Sequence, residues 1–298
     1  MAKRELARVL GALTATPWAI TPAAYQELLG LASRDAVVLD ALAAKGEREM
    51  GDAMHWYDVG SVRVIQVIGP LMRYASWFDD VCGIASYERI ATYLDEALAE
   101  ASVKKILLYI DSPGGMVTGC AELAQMIRKA SAVKEVVAYA GGDVCSAALW
   151  IGVSADSLVV SKTSTVGSVG VVGTIVDYRR MEKAAGIDTY ELVSSATPNK
   201  RPDVATDDGR AEILRSIDAT AAVFLADVKD YRGWTDLETL DAVAERTGRG
   251  GVFVGAQAVA RGLADAVGTF DEVLEAMGAG DGVQAVAPTG ALSDARRR

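Results

Sequence analysis

The sequence is short of the residues on which several kinds of site depend. One histidine occurs in 298 residues. A Ser-His-Asp triad would rest wholly on His55, in the polar, aromatic stretch 51-GDAMHWYDV-59. Three cysteines, Cys82, Cys120 and Cys145, stand far apart. They offer neither metal-ligand spacing nor a disulfide framework and fit a reducing compartment. No metal and no cofactor is expected. No run of ~18 apolar residues is present, so no membrane span is expected. The opening MAKRELARVLGALTATPWAI lacks the continuous apolar core of a signal peptide. Positive charge is also scarce: 30 Lys and Arg against 40 Asp and Glu leave a net charge of −10. That balance argues against a nucleic-acid surface.

What is present is ordinary for a globular chain, with 51% hydrophobic and 23% charged residues. Three regions are expected: an N-terminal helical segment over 1–60, a main domain over 61–278, and a disordered Gly/Ala/Pro-rich tail over 279–298. Leu6, Val9, Leu10 and Leu13 recur at helical spacing. Thr21-Pro22 marks the start of a second helix, to about Ser33. VRVIQVI at 62–68 reads as a strand, and residues 71–85, with Trp77, Phe78, Asp79 and Asp80, as a loop. Strict alternation follows: helix 86–100, strand 105–110, turn 111–115, helix 117–130, strand 135–140, turn 141–145, helix 146–154 and strand 157–160. Near-continuous apolar strands alternating with helices imply an α/β fold, with a mostly parallel sheet flanked by helices. Residues 207–231 form an amphipathic helix with Ile213, Ile217, Ala221, Phe224 and Val228 on one face, and a smaller β/α unit closes the chain at 252–278.

Ligands bind at the carboxyl ends of such strands, where two Gly-rich loops lie. In 111-DSPGG-115, glycines let backbone N–H groups face a ligand without an intervening Cβ, which suits an oxyanion hole or a structural turn equally. In 140-AGGDVCSAALWIG-152, Ser146 stands where a helix begins, as an N-cap or as a nucleophile. Adjacent strands would gather Gly114, Gly115 and the Ala147 N–H around one point, the arrangement a tetrahedral oxyanion needs. A serine nucleophile needs a base. A lysine serves once it has lost its proton, and Lys200, in the Pro-bounded stretch 192-LVSSATPNKRPDVAT-206 after an expected strand, is the candidate; an exposed surface lysine is the plain alternative. If Ser146 faces the site, Cys145 points elsewhere and is a small buried residue.

Three motifs in order, 109-YIDSPGG-115, 143-DVCSAALWIGVSADSLVVS-161 and 167-GSVGVVG-173, resemble the signal peptide peptidase A family of serine peptidases over residues 62–278. The resemblance implies a crotonase/Clp-like fold built of ββα repeats, with peripheral N-terminal helices. It also implies a Ser-Lys dyad: Ser146 as nucleophile, Lys200 as general base, Ser168 holding the lysine, and Gly114 or Gly115 supplying an oxyanion N–H. The chain departs from the family in having Ala147-Ala148 where Gly-Gly often follows the serine, and in a longer Ser-Ser-Ala-Thr-Pro-Asn-Lys approach to the base. The stretches 17-PWAITPAAYQELLGLASR-34 and 64-VIQVIGPLMRYASWFDD-80 resemble the phage-encoded branch, whose enzymes process scaffold and capsid proteins during head maturation. The expected protein is therefore a homo-oligomeric endopeptidase acting on protein substrates in the host cytoplasm or prohead. Its rivals are a soluble cellular member of the same family, a crotonase-type acyl-CoA enzyme using Asp111 and Asp143, and a non-catalytic capsid assembly factor.

Overall fold

A computed structural model describes residues 17–32, 55–74 and 85–278. The first expected helix, Trp77 and Phe78 of the 71–85 loop, Cys82 and the tail 279–298 lie outside the described residues. The larger sheet has the path β11-β10-β8-β6-β3-β2. Its strands are β2 (Trp56–Val59), β3 (Val62–Ile68), β6 (Lys105–Ser112), β8 (Glu135–Cys145), β10 (Thr165–Gly167) and β11 (Val252–Val254). Two more, β9 (Ser157–Val160) and β12 (Ala266–Val267), pair beside the first half of β8. The pairings β3–β6, β6–β8, β8–β9 and β8–β10 are parallel, and only the flanking β2–β3 and β10–β11 are antiparallel. The protein is thus a mixed α/β fold with mostly parallel strands flanked by helices.

Why these runs are strands is visible in their burial. Successive side chains of a strand point to opposite faces, so a strand covered on both sides is apolar throughout. Ile65, Val67, Ile106, Leu108, Ile110, Val136 and Ala138 feed the main core. Val62, Val64, Leu107, Val137 and Tyr139 feed a second core on the other face, closed by Val273, Leu274 and Met277 around the helix Phe270–Ala276. Helix α2 (Tyr87–Ala99) starts at Ser86, whose side chain accepts from the Arg89 N–H, and buries Ile90, Leu94 and Ala97. Helix α3 (Cys120–Ser131) buries Leu123, Ala124 and Ile127.

Several sequence expectations change where distant segments pair or fail to pair. The residues expected as turns at 111–115 and 141–145 continue as strand: β6 runs to Ser112 and β8 to Cys145, with a register shift between Ile110 and Ser112. Gly114–Met116 then forms β7 of a smaller sheet, in the order β1-β7-β4-β5. There β4 is Leu71–Met72 and β5 is Ala85–Ser86, while β1 is Trp18–Ile20, inside the segment expected to be helical. The second expected helix is present as α1 (Pro22–Ala32). No strand precedes Lys200: among the described residues, 168–206 contain only the short α5 (Arg179–Ala184) and a 3-10 turn at Pro198–Lys200.

The expected 25-residue helix is present as α6 (Asp207–Tyr231), capped by Thr206. Its C-terminal half docks on α4 (Ala147–Gly152), the fully buried helix after Ser146. Phe224 stacks on Trp150 with ring centroids 4.4 Å apart and planes 7° from parallel, and Trp150 Nε1 donates to Asp227 Oδ2 at 2.9 Å. Phe224 is wholly buried. Phe224→Ala is expected to cost ~3–5 kcal/mol, read as a fall in the urea midpoint at unchanged slope. A change under ~1 kcal/mol would mean that α6 docks through other contacts.

Candidate active site

The sharp end of β8 delivers Ser146. Parallel pairing sets Cys145 beside Gly167 of β10, and the Ser146 N–H donates to Gly167 O at 2.7 Å. The backbone at Ser146 has φ 55° and ψ −120°. A non-glycine residue in that region carries steric strain of order 1–3 kcal/mol, which persists only where surrounding structure imposes it. Three such residues occur among those described, Ser146, Ser168 and Arg249, so two of them are candidate site serines joined through one loop. Ser168 follows Gly167 directly, is half-buried, and its N–H donates to Gly251 O at 2.8 Å.

Ser146 holds the N-cap position of α4 but makes no side-chain cap bond. Its residue is 1% exposed and its Oγ is buried with no hydrogen-bond partner among the described residues. A buried hydroxyl without a partner costs roughly 1–3 kcal/mol. The cap role weighed from sequence is therefore not what holds the serine here.

Gly114 lies against Ser146, as the adjacency of β6 and β8 requires, and Gly115 lies against Leu71. A methyl placed on Gly114, whose φ is 102°, would meet Ser146 Cβ at 2.9 Å and Cys145 O at 3.0 Å. A methyl on Gly115 would meet Leu71 O at 2.0 Å. Both positions exclude any side chain, by close approach on either side. Their N–H groups differ: that of Gly114 donates to Ser112 Oγ at 3.2 Å, within the turn itself. Gly115, the other expected donor, stands opposite Ala19 of β1.

The neighbouring groups take other roles. Cys145 Sγ points to Thr165 O at 3.4 Å, away from Ser146 Oγ. Burial pushes its thiol up to about 12, so it stays protonated and is a poor nucleophile near neutrality. His55 stands at the far edge of the sheet, before β2, stacked on Tyr93 and 3.2 Å from Arg89 Nη1. Three strand spacings, roughly 14 Å, separate β2 from β8. Asp111 Oδ1 accepts the Asp143 N–H at 3.0 Å on the exposed side of β6 and β8, so the Asp111 carboxylate is engaged with backbone.

Lys200 is not brought to Ser146. It lies on the 3-10 turn Pro198–Lys200 and is exposed. Residues 172–206 as a whole are poor in buried side chains, and Tyr190 and Leu192 are 84% and 96% exposed. The sequence motif identified the lysine by its place along the chain; nothing local says where that stretch packs.

The sequence matches families of known proteins. Residues 128–284 match the model for peptidase family S49, and residues 84–164 match that for Clp protease. The chain belongs to peptidase family S49. Among its relatives are the head-tail preconnector protein GP5 of Enterobacteria phage P21, 28% identical over 221 residues, and capsid assembly protease C of Escherichia phage lambda, 27% identical over 230 residues. These alignments cover 74% and 76% of this chain, but 43% and 51% of the relatives, so the chain spans about half the length of the curated relatives it matches. Protease 4 of Salmonella typhi is 28% identical over 166 residues, 55% of this chain and 26% of that protein.

Proposed function

We propose that this protein is a serine endopeptidase that processes scaffold or capsid proteins during phage head maturation. The observation that carries the chemistry is the Ser146 hydroxyl: buried, without a partner among the described residues, on strained backbone, against Gly114, where no side chain fits. Ser146 Oγ attacks the substrate carbonyl, and its proton passes to the neutral amine of Lys200. The N–H groups of Gly115 and Ala147 take the oxyanion. The resulting ammonium then protonates the leaving peptide nitrogen and returns to the neutral amine, and water hydrolyses the ester by the same sequence of proton transfers. The phage substrate class rests on the names of the two phage relatives. Among the described residues no helix is long and apolar enough to cross a membrane, which accords with action inside a host cell or prohead.

Lys200 must approach Ser146, and we assign that step to assembly of a homo-oligomer. Exposed Ile175, Val176, Tyr178, Met181, Tyr190 and Leu192 give the 172–206 stretch an apolar surface of the kind that marks an interaction site. Along α6, Leu214 and Val223 are 54% and 50% exposed, while Ile213 and Ile217 are only half-buried. Packing one copy's 172–206 stretch on another would bury these residues and desolvate the lysine, which favours its neutral form. Sedimentation at micromolar concentration is expected to give a closed oligomer. A fully active 31.3 kDa monomer would overturn the assembly.

The proposal as a whole is tested by labelling with a serine-directed fluorophosphonate, followed by peptide mapping. Modification is expected on Ser146 alone, and a folded protein that stays unlabelled both as it stands and with Trp18→Ala, which loosens the strand covering the serine, would favour a non-catalytic assembly factor.

A further inference from the structure

β1 lies where a peptide substrate would have to lie. Trp18–Ile20 pairs antiparallel with Gly114–Met116, with Trp18 opposite Met116, Ala19 opposite Gly115 and Ile20 opposite Gly114. On its other side Trp18 exchanges two backbone hydrogen bonds with Val172, both 2.8 Å. Thr21 N–H donates to Pro113 O at 3.0 Å and Val117 N–H to Pro17 O at 3.4 Å. In an antiparallel ladder the bonded pairs alternate, so the bonded pair midway between these is Ala19 with Gly115. The Gly115 N–H, the proposed oxyanion donor, is therefore given to the Ala19 carbonyl. The methyl on Gly114 that would touch Ser146 Cβ at 2.9 Å would also meet Ala19 O at 2.2 Å, so that carbonyl and the serine flank one point.

We propose that Trp18–Ala19–Ile20 occupies the peptide-binding cleft of this protein as an internal plug, with the Ala19 carbonyl held at the catalytic position. This rests on the assignment of Ser146 as nucleophile. It explains why the Ser146 hydroxyl is buried: the edge of β7 that a substrate strand would use is already paired. The plug is anchored from outside the cleft. Trp18 and Ile20 pack with Tyr25 and Leu28 of α1, and the Trp18 and Tyr25 rings lie 6.0 Å apart. Ala19 is the residue turned into the main core, fully buried. The occupant of the cleft is an extended peptide paired along β7 and bonded to Val172, with a small residue over Ser146. A substrate enters when β1 and α1 leave together.

The test uses the full chain in two backgrounds. In the Ser146→Ala chain, binding of fluorescein-labelled Pro-Trp-Ala-Ile-Thr-Pro is followed by anisotropy, with and without Trp18→Ala, and separately with Ile20→Ala as a milder loosening. Competition from a tethered strand lowers apparent affinity by the fraction of open molecules, so loosening the anchor is expected to tighten binding at least ~10-fold. With Ser146 intact, the same substitutions are expected to raise kcat/KM for cleavage of the Ala–Ile bond by a similar factor. Equal affinity in anchored and loosened chains, or no binding in either, overturns the plug. Cleavage at equal rates in anchored and loosened chains also overturns it and leaves Ser146 as nucleophile. Tightened binding with no cleavage in any form leaves the plug standing and removes the nucleophile.

Discussion

Ser146→Ala abolishes peptide hydrolysis and leaves the protein as stable as before, or more so. The two effects together separate a nucleophile from a helix cap. A capping serine replaced by alanine costs ~1 kcal/mol. Here no cap bond exists to lose, and the buried Oγ has no partner. Removing it relieves a desolvation penalty of roughly 1–3 kcal/mol, and the alanine inherits the same strained backbone. Urea unfolding is expected to show an unchanged or higher midpoint, with a fall in kcat/KM of several orders of magnitude in the peptide assay. Such an exchange of stability for function is common at active sites. Cys145→Ala is the control and keeps activity, because its thiol points to Thr165 O and is held protonated. Loss of stability by ~1 kcal/mol with activity retained would return Ser146 to a structural role.

Lys200→Ala removes most of the rate, and Lys200→Arg does not restore it, because a guanidinium does not give up its proton. His55→Ala leaves activity in place, since His55 stands at the opposite edge of the sheet against Tyr93 and Arg89. An amine acts as base only when neutral, so the rate rises toward alkaline pH without a histidine-like step near ~6.5. The placement of Lys200 adds a sharper test. In one chain it is exposed and apart from Ser146, so the dyad forms between copies if assembly supplies it. Mixing two inactive proteins, Ser146→Ala and Lys200→Ala, under subunit exchange then regains activity. Random pairing of neighbours in a closed ring would restore roughly a quarter of the sites. Full activity of Lys200→Ala would remove the lysine from the mechanism, and no recovery on mixing would place the pair within one chain.

Much of this was legible in the sequence because it is written locally. The apolar runs at 62–68, 105–110 and 157–160 need both faces covered, which dictates a parallel sheet between helices. The periodicity of Ile213, Ile217, Ala221, Phe224 and Val228 marks α6, which spans Asp207–Tyr231. The glycines at 114 and 115 and the serine at 146 were marked by types that only a turn or a site demands. What only the tertiary structure decided depends on segments far apart in the chain. The sequence is compatible with Ser146 as a cap. Only the pairing of β8 with β10, which ties the Ser146 N–H to Gly167 O, forces it to φ 55° and strips the hydroxyl of a partner. Gly114 and Gly115 looked equivalent until Ser112 Oγ took one N–H. Lys200 has a place in a motif but no local pattern that fixes where its stretch packs, and within one chain that stretch finds no core. β1 is three residues long, too short for its alternation to register, and becomes a strand only because the edge of β7 and Val172 offer it partners. Local propensity specifies elements; the hydrogen bonds between distant elements specify which of their groups remain for chemistry.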